Sequence, residues 1–441
     1  MTAPETSELR PTPRVAITSL GCKVNYAEMA ELAGTLAAAG WDVVPESDTA
    51  DVRVVNSCTV TQQADATTRQ RLRRLHRADP GARIVLTGCS VDANPGVYDS
   101  ARAAHDLGVD AVYANCDKAS IASDLLALAA PVRSDAATDA ATAAADASLR
   151  SRAFVKVQDG CNHRCTYCIV WQARGVSQSR PTGAVIDAVT RAVDSGHAEV
   201  VLCGVDLGSY GRDLDTTLAT LLRDLLEHVG ERARVRLSSI NANDVTPELI
   251  ELNAHPRLCS HWHMPLQSGS DAMLKAMHRG YRRAQYRRVV AALRERDPLT
   301  ELTTDVMVAF PGEGEADHAE TLSLIDEVGF HSCHVFRWSP RPGTPATSDA
   351  GRVDPATARR RSAEVRRAAA RSGDASRRRA VGREHEVVWQ NAATDDEPSR
   401  GLSSTYHEIL VRGIAPRPGS LGRVRAERIS GDVLEGVLVA S

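Results

Sequence analysis

The sequence predicts an α/β protein of three parts: an N-terminal parallel α/β domain, a central partial (β/α) barrel and a small C-terminal β domain. Short β-branched runs alternate with helical patterns over residues 14–130, as in parallel α/β domains. The same alternation repeats over residues 151–375, which is long enough for a full or partial barrel. Short strand-like runs separated by Gly and Pro fill residues 382–441 and predict a small β-barrel or sandwich.

Residues 131–150 separate the first two parts and read PVRSDAATDAATAAADASLR. This stretch contains almost no side chain that could build a hydrophobic core. We therefore predict an Ala/Asp-rich linker or mobile loop between the two domains.

Composition limits the class of protein before any motif is considered. The 441 residues are 43% hydrophobic and 25% charged with a net charge of −3, which fits a globular protein without a general polyanion-binding charge. The sequence has no apolar run of about 18 residues and no apolar signal region near Met1, so we expect a cytoplasmic protein outside the membrane. Disulfides are rare in that compartment, which makes the ten cysteines metal ligands, catalytic thiols or core residues.

Three of these cysteines form a compact CxxxCxxC motif. Cys161, Cys165 and Cys168 follow a predicted strand and so fall at the carboxyl-terminal mouth of the barrel, where barrel sites lie. A zinc site normally uses four protein ligands, and His163 is the only further candidate nearby. Three thiolates also suit a cubane iron–sulfur cluster with one open iron, which can bind S-adenosylmethionine. A zinc loop remains the alternative at this point.

A second set of three cysteines is dispersed over the N-terminal domain. Cys22, Cys58 and Cys89 each follow an apolar strand. Because the ends of parallel strands gather at one edge of a sheet, these thiols could meet and hold a second cluster. The alternative is three buried core cysteines. Packing is also the predicted role of the four cysteines outside both sets, at positions 116, 203, 259 and 333.

The cysteine motifs together resemble one enzyme family. LGCKVN, NSCTVT and TGC, followed by QDGCNHRCTYCIV, are similar to the radical S-adenosylmethionine methylthiotransferases. Later segments such as RLSSI, HMPLQSGSD and FPGE extend the resemblance over residues 14–346. The CKVN segment most resembles the branch that methylthiolates N6-threonylcarbamoyladenosine 37 of tRNA.

This resemblance implies a radical-SAM barrel, two 4Fe-4S clusters and S-adenosyl-L-methionine as cofactors. The cluster at Cys161, Cys165 and Cys168 would generate a radical that removes hydrogen from an unreactive carbon. The auxiliary cluster at Cys22, Cys58 and Cys89 would donate or carry the sulfur. The resemblance also implies a TRAM-like C-terminal domain, a flavodoxin or ferredoxin as electron donor, and a monomeric enzyme.

Contacts to S-adenosylmethionine and substrate follow from the same resemblance and from position. Tyr167 holds the place of an aromatic residue that lies against the adenine in the family. Other residues are expected at the barrel mouth as cofactor contacts, or else as ordinary turns: Gly204, Ser239, Asn241, Pro311 and Gly312. Trp171 is a candidate for stacking on substrate or for packing, and Gln267 and Ser268 for substrate contact or helix capping.

Several departures from the family pattern favour a different substrate. Asn241 stands where the family usually has an acidic residue, Trp171 where it has proline, and Ala309 where it has glycine. The C-terminal domain also matches weakly, although the arginine-rich stretch 356–383 could contact phosphates if it is not simply a solvated helix face. The alternative function is therefore sulfur insertion into a small nucleoside or peptide during natural-product biosynthesis.

Overall fold

The computed structural model describes residues 12–128, 151–348, 351–394 and 397–439, and the predicted linker 131–150 lies outside them. The described chain forms two compact units. One contains residues 12–128 together with Gln172–Arg174, and the other contains residues 151–171 and 175–439. Among the described residues, no helix has the length and hydrophobicity needed to cross a membrane.

The N-terminal unit is a five-stranded parallel sheet covered by helices, as predicted. Its strand order is β2 (Asp42–Val44), β1 (Arg14–Ser19), β3 (Val52–Ser57), β4 (Arg83–Gly88) and β5 (Ala111–Tyr113). The helices are α1 (Lys23–Ala38), α2 (Gln62–Ala78), α3 (Cys89–Ala93), α4 (Pro95–Tyr98), α5 (Ser100–Leu107) and α6 (Ser120–Leu128). Apolar side chains from these helices build two separate cores, which include Leu36 with Leu125 and Leu72 with Leu107.

The central part of the second unit is the predicted partial barrel. One parallel sheet has the order β10 (Arg234–Leu237), β9 (Glu199–Cys203), β6 (Ala153–Lys156), and the other β11 (His261–His263), β12 (Glu301–Val308), β13 (Ser332–Arg337). Single bridges from Val235 to Leu258 and from Ser239 to His263 join the two sheets. A short antiparallel pair, β7 (Gln158–Asp159) and β8 (Gln178–Ser179), lies beside them.

Helices alternate with these strands and enclose one continuous hydrophobic core. They are α7 (Val170–Arg174), α8 (Thr182–Asp194), α9 (Leu218–Val229), α10 (Pro247–Leu252), α11 (Asp271–Ala276), α12 (Arg283–Arg296), α13 (Glu315–Val328) and α14 (Pro355–Ala380). The helix α7 crosses the division between the two units, because its last three residues group with the N-terminal unit.

The C-terminal domain is a closed β-barrel around Trp389, Val424 and Leu434. Its strands pair in the order β14 (Glu384–Trp389), β15 (Ser399–Ser403), β16 (Glu408–Val411), β18 (Val433–Leu438), β17 (Leu421–Ser430). The sequence predicted four of these strands. It gave no strand signal for β15, because SRGLS is polar at one end and contains a glycine.

Most arginines of helix α14 are exposed, as expected for a solvated helix face, and several of them pair with acidic side chains. Arg361 is buried and donates to the Glu313 carboxylate at 2.8 Å, and Arg360 pairs with Glu315 and Glu364. Further pairs join Arg371 to Asp326, Arg377 to Asp374 and Arg379 to Glu301. Much of the positive charge of this helix is therefore neutralised within the protein.

A buried ion network fixes the C-terminal barrel to the central barrel. The carboxylate of Glu199 accepts from Arg234 at 2.7 Å and from Arg236 at 2.7 Å, and all three side chains are almost fully buried. The same guanidinium groups donate to backbone carbonyls of the C-terminal barrel, at Glu386, Leu402, Ser403 and Ser404. Both arginines thus satisfy their donors only when the two barrels are docked.

Replacing Glu199 by glutamine is expected to destabilise this unit strongly. Two buried guanidinium groups would lose their carboxylate, and breaking a buried pair costs about 3–5 kcal/mol. The measurement is the free energy of unfolding in urea. Glu386→Gln is the matched control, since its side chain is 28% exposed and lies 3.5 Å from Arg234, so it should lose less than about 1 kcal/mol. Equal losses in the two variants would contradict this account.

Candidate functional site

The dispersed cysteines of the N-terminal unit lie at one edge of its sheet. The strands β1, β3 and β4 are direct neighbours, and Cys58 and Cys89 follow the last residues of β3 and β4. Cys22 follows β1 by three residues and caps helix α1, which begins at Lys23. Asn25 lies inside the first turn of this helix.

Close packing brings the three sulfur-bearing loops together. Gly21 has a φ of +101°, and a Cβ atom there would lie 2.7 Å from the Cys58 sulfur. Burial raises the pKa of the Cys58 thiol to about 11, and the proximity of Cys22 and Cys89 adds to this shift. Cys58 and Cys89 are buried and Cys22 is exposed beside them, so the three thiols form a partly open group of the kind that can hold a three-thiolate cluster.

Asn25 holds these loops through its side-chain amide. Its Nδ2 donates to the carbonyls of Leu20 and Ser57, each at 2.9 Å, and so links the loops after β1 and β3. Its Oδ1 lies 3.6 Å from the Cys22 sulfur and accepts from the thiol. One amide thus sets the spacing of two cysteine-bearing loops.

Charged residues surround this first site, and most of them come from segments that the sequence did not connect with it. Arg174 donates from Nε to the Cys89 sulfur at 3.1 Å and from Nη1 to Glu28 at 2.7 Å. Lys118 donates to the other oxygen of Glu28 at 2.6 Å. In the sequence, only the position of Glu28, one turn after Asn25 on α1, could have indicated this charged group. Arg174 and Lys118 come from distant segments.

The compact CxxxCxxC loop forms the second site, after β6 and β7. The backbone N–H of His163 donates to the Cys161 sulfur at 3.5 Å, and Nη1 of Arg279 donates to the Cys165 sulfur at 3.4 Å. Burial raises the pKa of the Cys161 thiol to about 12 and that of Cys168 to about 11, and neighbouring thiols add to both shifts. The three sulfurs therefore converge in a space suited to a second cluster.

His163 does not act as a fourth ligand with these cysteines. Its Nε2 lies 3.2 Å from Asp206 and 3.5 Å from Asp244. Hydrogen bonds to these carboxylates raise the pKa of His163 to about 10, so the ring is positively charged at neutral pH. The His163 imidazole and the carboxylates of Asp206 and Asp244 are also close enough to one another to hold a metal ion, and Arg212 pairs with Asp244 at 2.9 Å.

Two regions of the chain match known domain families. Residues 14–109 match the uncharacterized protein family UPF0004, and residues 155–325 match the radical SAM superfamily. A threonylcarbamoyladenosine tRNA methylthiotransferase, MtaB, from Thermotoga maritima is 35% identical over 94% of this chain and 95% of its own length. MtaB of Bacillus subtilis is 33% identical over 96% of both chains. A tRNA-2-methylthio-N(6)-dimethylallyladenosine synthase of Parafrankia sp. is 34% identical over 96% of this chain and 87% of its own.

The chain belongs to the radical S-adenosylmethionine methylthiotransferase family. Its fold also resembles the radical S-adenosylmethionine methyltransferase TsrM from Kitasatospora setae, with a TM-score of 0.56 and 13% identity over 76% of this chain and 75% of that one. The enzyme is therefore a radical methylthiotransferase that uses S-adenosylmethionine and two 4Fe-4S clusters.

Several predicted cofactor residues lie near the CxxxCxxC loop of this methylthiotransferase. Tyr167 packs against an apolar cluster that includes Met277, Met307 and Phe310. Asn241 accepts from Arg279 and donates to Asp206 at 3.3 Å. These contacts place Tyr167 and Asn241 beside the residues that surround the cysteines.

The remaining predicted cofactor residues have mixed surroundings. Gly204 is enclosed by the chain itself, since a Cβ there would lie 2.9 Å from both Gln158 and Leu207. Gly312 has a φ of +82° with open space beside it. Pro311 is buried and Ser239 is half-buried at the bridge to His263. The open space beside Gly312 would therefore admit a ligand. At Gly204, by contrast, close packing within the chain is enough to explain why the residue is glycine.

The predicted substrate residues differ in accessibility. The guanidinium of Arg164 lies 4.6 Å from the Trp171 ring centre, and the indole nitrogen of Trp171 is buried without a hydrogen-bond partner among the described residues. Ser268 is fully buried beside Thr321, and Gln267 is buried with a φ of +63°. These contacts indicate that Gln267 and Ser268 support the loop before α11.

The four other cysteines are free thiols outside both sites. Cys203 and Cys259 are buried and Cys333 is half-buried, which fits the predicted packing role. Cys116 is exposed, so packing was the wrong expectation for that residue. It lies in a turn after β5, where the side chain has no core to enter.

Replacing Gly21 by alanine is expected to prevent a cluster from forming in the N-terminal unit. The new Cβ would meet the Cys58 sulfur at 2.7 Å and the backbone has a left-handed φ, so the loop must move. Iron per reconstituted chain should fall by about half, from two four-iron clusters to one. Gly34→Ala is the control: this helical position has no atom within 4 Å and should keep all the iron. Full iron in Gly21→Ala would show that this close packing is not required.

Proposed function

We propose that this enzyme methylthiolates N6-threonylcarbamoyladenosine 37 of tRNA. The observation that carries the proposal is the presence of two separate convergent cysteine triads in one chain, which a radical enzyme without a sulfur donor would not need. The similarity to threonylcarbamoyladenosine tRNA methylthiotransferases extends over nearly the whole chain and supports the substrate.

In this proposal Cys161, Cys165 and Cys168 bind the radical-generating cluster, and Cys22, Cys58 and Cys89 bind the auxiliary cluster. When bound, the cofactors would supply the radical chemistry that removes a substrate hydrogen, the sulfur that replaces it and the methyl group that this sulfur carries. The chain itself positions these groups. Tyr167 and its apolar neighbours keep water from the radical site, and Asn25 fixes the spacing of the auxiliary loops.

The C-terminal barrel supports tRNA over a small molecule as the substrate. The sequence matched RNA-binding domains only weakly there, yet the barrel is closed and complete. Arg423 and Arg425 are exposed and alternate along β17 with the core residues Val424 and Ala426. Together with exposed Arg412 they offer guanidinium groups to phosphates, which dominate the affinity of proteins for nucleic acid. The proposal includes a cytoplasmic monomer that receives electrons from a flavodoxin or ferredoxin.

Single cysteine variants are expected to separate the two partial reactions. Cys161→Ala should abolish 5′-deoxyadenosine formation, because the radical cluster loses a ligand. Cys22→Ala should still form 5′-deoxyadenosine and yield no methylthio product, because only the sulfur-donating site is damaged. The measurement is mass spectrometry of nucleosides and 5′-deoxyadenosine after incubation with S-adenosylmethionine, reductant and threonylcarbamoylated tRNA.

Cys116→Ala is the matched control, since this exposed cysteine belongs to neither triad and both partial reactions should remain. Methylthiolation that survives in Cys22→Ala would overturn the role given to the second triad. A wild-type enzyme that leaves tRNA unchanged but adds sulfur to a free nucleoside or peptide would replace the tRNA proposal with the natural-product alternative.

A further inference from the structure

Both cysteine triads have the same kind of polar partner. In each site one arginine donates an N–H to a cysteine sulfur and another N–H to the amide oxygen of an asparagine. Arg174 connects the Cys89 sulfur, at 3.1 Å, to Asn25. Arg279 connects the Cys165 sulfur, at 3.4 Å, to Asn241.

The arginine of the N-terminal unit is held in a buried group of charged side chains. The side chain of Arg174 is 1% exposed and pairs with Glu28, and Lys118 pairs with the same carboxylate. Two cations therefore share one carboxylate beside the three cysteines. The buried cation of Arg174 favours a negatively charged group next to it. Three thiolates that share a cluster are such a group.

The arginine of the CxxxCxxC site has no acidic partner among the contacts described for it. Arg279 donates to the Tyr281 hydroxyl at 3.3 Å and to the Pro265 carbonyl at 3.5 Å, besides Asn241 and the Cys165 sulfur. All of these oxygens are neutral. The thiolates of the cysteine triad are therefore the nearest groups that could balance its charge.

We propose that Arg174 and Arg279 are the positioning residues of the auxiliary and the radical cluster respectively. Each orients one thiolate ligand and sets the charge next to one cluster only. Net charge and hydrogen bonds to the sulfurs are main determinants of the reduction potential of such clusters. This inference rests on the proposed assignment of the six cysteines as cluster ligands.

The test uses full-length chains that retain one triad at a time. C161A/C165A/C168A keeps the auxiliary site and C22A/C58A/C89A keeps the radical site. R174Q and R279Q are introduced separately into both backgrounds, and the midpoint potential of the reconstituted cluster is measured by a redox titration followed by electron paramagnetic resonance. Losing a cation and an N–H···S bond disfavours the more negative reduced cluster. R174Q should therefore move the potential of the auxiliary cluster alone to more negative values, and R279Q that of the radical cluster alone.

A shift of both clusters by one variant, or no shift in the matched background, would overturn the inference. R174K keeps the buried charge and serves as the test variant if R174Q does not fold: lysine lacks the fork of N–H groups, so R174K should still move the potential of the auxiliary cluster alone to more negative values relative to the parent background. A triple-alanine background that binds no iron would instead overturn the assignment of the cysteines, and with it the proposed function. The two failures are thus distinguishable.

Discussion

Three thiolates can share one cluster only if the backbone brings their loops together and keeps them there. In the N-terminal unit this constraint is met by the parallel order of neighbouring strands β1, β3 and β4, which end at the same edge of the sheet. Gly21 allows the closest approach, because any side chain at that position would collide with Cys58. The helices and the two hydrophobic cores of this unit serve to hold those three strand ends in register.

Departures from the family pattern at the barrel mouth have local physical reasons. An acidic residue at position 241 would face the carboxylate of Asp206, whereas Asn241 donates an N–H to it and still accepts from Arg279. Ala309 has a φ of +60°, which explains why the family usually has glycine there and costs this chain about 1–2 kcal/mol. Its N–H donates to Glu313 at 2.7 Å, and Glu313 is itself held by Arg361. These substitutions are therefore accommodated by neighbours within the chain and do not by themselves indicate a new substrate.

Buried ionic groups lie at two places where the fold keeps a fixed geometry. Glu199 between two arginines docks the C-terminal barrel, and Glu28 between Arg174 and Lys118 supports the cysteine site of the N-terminal unit. Such buried ionic groups add little to the free energy of unfolding. They do fix one geometry, because every donor requires a specific acceptor at short distance. Arginine side chains supply donors in both groups.

The sequence by itself determined the fold class and the two cysteine sets, because strand periodicity and ligand spacing are local properties of the chain, and its motifs carried the resemblance to a radical methylthiotransferase family. It could not show that Arg174 donates to Cys89 or that Arg279 donates to Cys165, since each pair is separated by many residues and only folding brings the partners together. The tertiary structure also decided that His163 faces Asp206 and Asp244 and not the cysteine sulfurs. Spacing along the chain identifies which atoms can bind a cluster, whereas the surrounding charge and hydrogen bonds depend on contacts between distant segments.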